Sequence, residues 1–183
     1  MPEGDTIRWH ANRIAPALVG RAPDRVQTHE RFSLDRWPEK LTDRTVTAVD
    51  THGKHLFIRF DGGLTLHSHL GMVGTWGVYG EGRRWGRPRR RAWLILGVGG
   101  TDVVQFDGST LELVTDGRTR FDQRLAALGP DVLADEFDAA AFLKRLRGEQ
   151  RWPSPEALRE QIGRDVKRAQ RLFSLCRRLT AAR

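Results

Sequence analysis

The chain opens Met1-Pro2-Glu3-Gly4-Asp5-Thr6, and these residue types in this order could do covalent chemistry. Pro2 is small enough to let the initiator methionine be removed, which would leave a proline at the mature terminus. An unperturbed α-amino group has a pKa of roughly 7.7–8.0, so part of such a secondary amine is neutral and nucleophilic at physiological pH. It could attack an electrophilic carbon and hold it as a charged iminium, splitting one hard step into two. Glu3 beside it could donate or take a proton, provided burial lifts its pKa toward the working pH. The same stretch also fits a plain helix lead-in with Asp5 or Thr6 as the cap.

Two later stretches bear on the first. Gly53-Lys54-His55-Leu56 puts one of the few lysines at a hairpin tip, where an ammonium either reaches a phosphate or simply meets solvent. In His67-Ser68-His69-Leu70-Gly71-Met72 the strand alternation gives way at Gly71, and a flexible apolar Met72 follows the bend. Such a side chain either packs in the core or serves as a wedge that fills the gap left by an extruded nucleotide. A metal centre is a third reading, since His52, His55, His67 and His69 form two close pairs on neighbouring strands. No acidic ligand adjoins either pair in sequence, which counts against it.

The elements that must position these residues are legible from their periods. Ile7, Ala11, Ile14 and Leu18 recur at helical spacing, with Gly20 as a stop and Pro16 expected to kink or shorten the last turn. From Arg25 to Asp116 the period becomes two. Eight strands are expected, at Val26–Thr28, Thr45–Thr51, His55–Phe60, Leu64–Leu70, Val73–Val78, Ala92–Val98, Asp102–Phe106 and Thr110–Val114. Asp61-Gly62-Gly63 has the chemistry of a hairpin turn. The fold class expected is mainly β with α: an N-terminal two-sheet antiparallel sandwich or barrel, then a short helical tail.

Gly80–Arg91 interrupts the strands with Arg83, Arg84, Arg87, Arg89, Arg90 and Arg91 around Trp85. Dense positive charge repels itself without a partner, so this is expected to be a phosphate-tracking loop with one stacking ring. A short helical piece is expected near Thr119–Ala127, and Leu128-Gly129-Pro130-Asp131 marks a boundary. The chain then divides into residues 1–135, the sandwich, and 136–183, helical and basic. Ala139–Arg147 forms one helix, and Ser154-Pro155-Glu156 opens another that runs toward Thr180.

The 183 residues carry a formal net charge of +8, which favours a polyanionic partner such as nucleic acid. The single cysteine, Cys176, excludes a disulfide framework and a thiolate zinc finger. No leader-like or membrane-length apolar run is present, so a cytoplasmic protein with no membrane partner is expected.

In this order and spacing, Pro2-Glu3-Gly4-Asp5-Thr6, Gly53-Lys54-His55-Leu56 and His67–Met72 resemble the formamidopyrimidine-DNA glycosylase / endonuclease VIII family, particularly its actinobacterial endonuclease VIII branch. The resemblance runs from Met1 to about Asp135 and includes the basic loop. It implies an N-terminal β-sandwich and a bifunctional DNA glycosylase and abasic-site lyase that removes oxidised bases from damaged DNA, duplex or single-stranded. By the same resemblance Pro2 would be the Schiff-base nucleophile and Glu3 the donor that opens the sugar ring. Lys54 would bind phosphate and donate a proton, and Gly71, Met72, Arg89 and Arg90 would contact DNA. No cofactor and no zinc are implied for this chain, and the protein would be associated with the nucleoid. The family's second domain, with its helix-two-turn-helix and zinc finger, has only an echo here in Ile162-Gly163-Arg164-Asp165. A truncated or diverged clamp is expected, with duplex affinity, lesion flipping and the last elimination impaired, unless a partner chain supplies it. The alternative is a non-catalytic nucleic-acid-binding module derived from such an enzyme.

Overall fold

The computed structural model describes residues 3–120, 125, 128–131, 133, 134, 138–140, 153–164, 166 and 167. It divides into two compact units, Met1–Arg145 and Leu146–Arg183.

In the first unit, helix α1 (Gly4–Leu18) precedes β1 (Arg25–Thr28), a 3-10 turn (Glu30–Asp35) and α2 (Trp37–Leu41). Then come β2 (Val46–His52), β3 (His55–Phe60), β4 (Leu64–His69), β5 (Thr75–Gly80), β6 (Ala92–Val98), β7 (Thr101–Phe106) and β8 (Thr110–Thr115), followed by α3 (Asp116–Arg120). The strands form two four-stranded antiparallel sheets, ordered β2-β3-β4-β8 and β1-β6-β7-β5. This is the two-sheet architecture that the eight alternating segments predict.

Alternation explains the layers. Along β3, Leu56, Ile58 and Phe60 turn to the interior, while His55, Phe57 and Arg59 take the other face. Leu66 of β4, Leu94, Leu96 and Val98 of β6, and Trp76 of β5 join the same core, and the Trp76 indole N–H reaches Ser68 Oγ at 3.3 Å. Helix α1 contributes its Ile7, Ala11, Ile14 and Leu18 stripe. Fully burying side chains of this size stabilises the fold by about 1.5–3 kcal/mol each.

Three expectations need correction. Pro16 does not shorten α1, which continues to Leu18; the Val19 N–H still reaches the Ala15 carbonyl at 2.8 Å. The strand expected at Val73–Val78 is β5 at Thr75–Gly80, because the chain is still turning at Val73. The helical piece expected near Thr119–Ala127 begins earlier, at Asp116, and most of its later part lies outside the described residues. The stretch between β1 and β2, which carries no clear period, supplies Phe32 and Trp37, stacked at 4.7 Å between ring centroids, to the core.

A second apolar cluster covers the outer face of the β1-β6-β7-β5 sheet: Ala92, Ile95, Val104 and Phe106 under Tyr79 and Trp85. In the second unit, residues 155–164 are helical, and Ser154 Oγ accepts the Ala157 N–H at 3.3 Å as the cap chemistry predicts. Arg164 pairs with Glu160 on the same helix. The helix expected at Ala139–Arg147, beyond its first two residues, and the end of the tail with Cys176 lie outside the described residues. Among the described residues no helix is long and apolar enough to cross a membrane.

Candidate active site

Register gathers the candidate residues at one rim of the sandwich. His52 pairs with His55 across the β2–β3 hairpin, so Gly53 (φ 55°) and Lys54 form its tip. His55 pairs with His69, and His69 with Thr110. In the other sheet, Thr75 and Ala92 both face Phe106. The turns at residues 70–74 and 107–109 connect the two sheets at this same end. The Lys54 tip, the Met72 turn and the Arg89–Arg91 end of the basic loop therefore share an edge.

Glu3 sits at the N-cap of α1 in an extended conformation, and its carboxylate makes no cap bond. Instead, Glu3 Oε1 accepts from Lys54 Nζ at 2.8 Å. The helix start lies against the hairpin: a Cβ on Gly4 would stand 3.4 Å from the Gly53 carbonyl. Both members of the pair are about half exposed, so the burial that the sequence argument asked of Glu3 is not present. A pair this exposed adds about 0–1 kcal/mol to stability, so its placement is of chemical rather than structural interest. Pro2, the candidate nucleophile, lies outside the described residues.

The hairpin has a support that the sequence argument missed. Asp131 Oδ2 accepts the Gly53 N–H at 2.9 Å, and its Oδ1 accepts the Leu133 N–H at 2.9 Å. The Leu128–Asp131 boundary is thus attached to the lysine-bearing tip. Only its Gly-Pro-Asp turn chemistry was visible in the sequence.

Beside the tip, a hydrogen-bonded chain crosses three strands. His67 Nδ1 lies 2.9 Å from Glu112 Oε1, and His67 Nε2 lies 2.8 Å from His55 Nδ1. A carboxylate only accepts, so His67 donates from Nδ1; in the neutral ring its Nε2 then accepts, which calls for a proton on His55 Nδ1. Glu112 is an acidic neighbour that the sequence reading did not find, because it lies on β8, opposite His67. The metal reading gains nothing from it. The facing nitrogens of His55 and His67 bind each other, and among the described residues no three ligand-type side chains are arranged to hold a metal ion. His69 Nδ1 accepts the Gly71 N–H at 3.2 Å and lies 2.7 Å from Ser109 Oγ. Burial, then His67 and Lys54, hold its pKa below the usual histidine range.

Met72 is 69 % exposed, presented at the rim rather than packed, and Gly71 before it adopts φ 61°, which a β-carbon disfavours. The basic loop crosses the outer face of its sheet, from Gly80 to Ala92. Trp85, the loop's expected stacking ring, is partly buried: it packs edge-on against Phe106 at 5.8 Å and beside Tyr79 at 6.0 Å. Arg89 lies over Trp85 and donates to Gln27 Oε1 at 2.6 Å. Arg87 and Arg91 pair with Asp107. Arg90 is exposed at the rim end of the loop. An open bowl of about 830 Å³ is lined by Arg83 to Arg89 and includes neither Glu3 nor Lys54.

The model of the formamidopyrimidine-DNA glycosylase N-terminal domain matches residues 1–124. The chain belongs to the formamidopyrimidine-DNA glycosylase family. A riboflavin kinase model matches residues 130–173, too short a stretch to assign a family. Among relatives of this family member, a probable endonuclease 8 2 of Streptomyces coelicolor is 40% identical over 164 residues, covering 88% of this chain and 57% of that protein. Endonuclease 8 2 of Mycobacterium bovis is 38% identical over 170 residues, covering 88% and 61%. The DNA-(apurinic or apyrimidinic site) lyase Nei2 of Mycolicibacterium smegmatis is 32% identical over 163 residues, covering 88% and 60%. The chain thus spans roughly three-fifths of the length of these relatives. Its fold is similar to that of a Lactococcus lactis Fpg in complex with DNA containing an abasic site, with TM-score 0.63 and 20% identity, over 80% of this chain and 57% of that one. A second Lactococcus lactis Fpg structure, with DNA containing N7-benzyl-Fapy-dG, gives TM-score 0.61 and 19% identity, over 70% and 49%.

Proposed function

We propose that the chain is a DNA repair glycosylase and abasic-site lyase of the endonuclease VIII type, acting on oxidised bases in nucleoid DNA in the cytoplasm. The observation that carries this reading is the Glu3–Lys54 pair, 2.8 Å apart, one residue from the candidate nucleophile and at the rim shared with Met72 and the basic loop. With Met1 removed, the Pro2 nitrogen attacks C1′ of the damaged nucleotide, and the bond from C1′ to the base breaks. The alkylated nitrogen sheds its proton to the Glu3 carboxylate, and Glu3 returns that proton to the ring oxygen as the C1′–O4′ bond breaks, leaving an iminium between Pro2 and C1′. Lys54 holds a flanking phosphate and supplies a proton to the departing base. The iminium is an electron sink, so a base removes the C2′ proton, its electron pair forms the new double bond, and the 3′ phosphate leaves. Loss of the 5′ phosphate by a further elimination completes the sequence. Gly71 and Met72 enter the vacated stack, while Arg89 and Arg90 track phosphates. Met72's exposure and the shared rim support these assignments.

Borohydride trapping on DNA with an abasic site tests the reading, comparing the wild type with Pro2→Gly and with a form whose N-terminus carries a tag. The expected result is a covalent adduct that both changes abolish. Equal yield from the tagged form would move the amine elsewhere, to Lys54 for instance. Salt-sensitive DNA binding with no adduct from any form would leave only a binding module.

A further inference from the structure

Met72 and Val73 form an unusual pair for a turn: both are large, apolar and exposed, at 69 % and 56 %. The turn beneath them is nevertheless held on several sides. The Gly74 N–H closes it onto the Leu70 carbonyl at 2.9 Å. Gly74 lies so close to the neighbouring turn that a β-carbon would stand 2.9 Å from Gly108 Cα and 2.5 Å from the Leu70 carbonyl oxygen. On the far side, Arg87 Nη1 donates to the Val73 carbonyl at 2.6 Å and to Asp107 Oδ2 at 2.7 Å. Asp107 is mostly buried and adopts φ 51°. Arg91 grips it through Nε to Oδ1 at 3.1 Å and through Nη2 to Oδ2 at 2.8 Å. The Asp107 carbonyl accepts from the fully buried Gln105 side chain at 2.9 Å. Two arginines of the basic loop thus share one mostly buried carboxylate partner.

We infer that Arg87 and Asp107 are positioning residues that hold Met72 and Val73 out as a rigid apolar blade for entry into a DNA stack. Unstacking costs a few kcal/mol per base step, and a blade on a mobile turn would fold back rather than press against that resistance. Two charge-assisted bonds from Arg87 Nη1, one to the turn carbonyl and one to Asp107, remove that freedom. Val73 stands next to Met72 as the second apolar contact. The inference rests on the DNA glycosylase reading and deepens it.

The test is a double-mutant cycle read by 2-aminopurine placed beside an abasic analogue in duplex DNA, whose fluorescence rises when the stack opens. At saturating protein, Arg87→Ala and Asp107→Asn are each expected to lower the opening equilibrium about tenfold, the scale of one charge-assisted bond. In a Met72→Ala/Val73→Ala background, Arg87→Ala is expected to add no further loss, because its effect passes through those two side chains. Thermal melts accompany every variant. If Arg87→Ala does not fold, Arg87→Met, which keeps the apolar stem and removes both bonds, enters the same cycle. Two results would overturn the inference: losses that simply add across the two sites, or unchanged opening with weaker affinity and a salt slope reduced by about one, as for a phosphate contact. Borohydride trapping reports the enzymatic reading separately. Stack opening that needs Met72 without any adduct would remove the lyase and keep the blade, and an adduct without such opening would do the reverse.

Discussion

The two sheets share one apolar interior but use their outer faces differently. On β2-β3-β4-β8 the outward positions near the rim are titratable: His55, His67 and Glu112, linked by hydrogen bonds, with His69 beside them. On β1-β6-β7-β5 they are apolar, with Ile95, Val104 and Phe106 lying under Tyr79 and Trp85. Period-two alternation alone would give both sheets a wet outer face. The second sheet departs from that because its outer face seats the basic loop, and the loop's last residues then brace the Met72 turn through Arg87 and Asp107. One face carries hydrogen-bonded titratable groups, and the other serves as a mount.

The largest expected effect tests the mount. Phe106→Ala is expected to cost about 3–5 kcal/mol in urea unfolding and to expose the Arg83–Arg91 loop to trypsin. Ordinary stability with a protected loop would mean that the aromatic cluster does not seat it.

Next comes an acid effect that separates the interior from the histidine face. His10 is buried in α1, and its pKa is lowered from 6.5 to about 4, chiefly by burial and then by Arg13. Among the described residues its Nδ1 has no hydrogen-bond partner, although Nε2 lies 3.4 Å from Thr75 Oγ1. Between those two pH values the unfolded chain holds a proton that the folded chain refuses. Stability is therefore complete above pH 6.5 and falls as pH drops toward about 4, by on the order of 3 kcal/mol. Urea midpoints across this window should show the loss in the wild type and little of it in His10→Leu. An undiminished loss in His10→Leu would transfer acid sensitivity to the outer cluster.

The smallest effect sharpens the other side of the comparison. Glu112→Gln keeps an acceptor but removes the charge, so about 1 kcal/mol of stability should be lost. Imidazole ¹⁵N shifts should show the proton of His67 at Nδ1 in the wild type and a weaker preference in the variant. Identical shifts would mean that Glu112 does not set the tautomer.

Local patterns carried much of this. The alternating segments predict the strands to within a residue or two, except at Val73, where a β-branched residue belongs to a turn shaped by Gly71 and Gly74. Lys54 was legible as a hairpin tip, since Gly53 precedes it between two period-two runs. Its partner Glu3 was singled out for proximity to Pro2, and nothing in the spacing of residues 3 and 54 said they would meet. Trp85 among arginines has the composition of a stacking platform, while its packing on Phe106 and Tyr79 depends on which sheet face lies beneath it, which no local pattern states.

By itself the sequence determined the strand period, the turn chemistry, the positive charge and the three motifs that carry the family resemblance, because each rests on neighbours within a few residues. Tertiary structure alone decided that Glu112 reaches His67, that Asp131 holds Gly53, and that Arg87 grips the Val73 carbonyl. The first of these follows directly from sheet order, and the other two from where the loops and turns between the strands meet. β8 returns beside β4 rather than beside β7, and β6 and β7 stand between β1 and β5, so side chains far apart in the chain come within hydrogen-bond reach. No local period encodes that choice, since it is made by closing two sheets over one shared core.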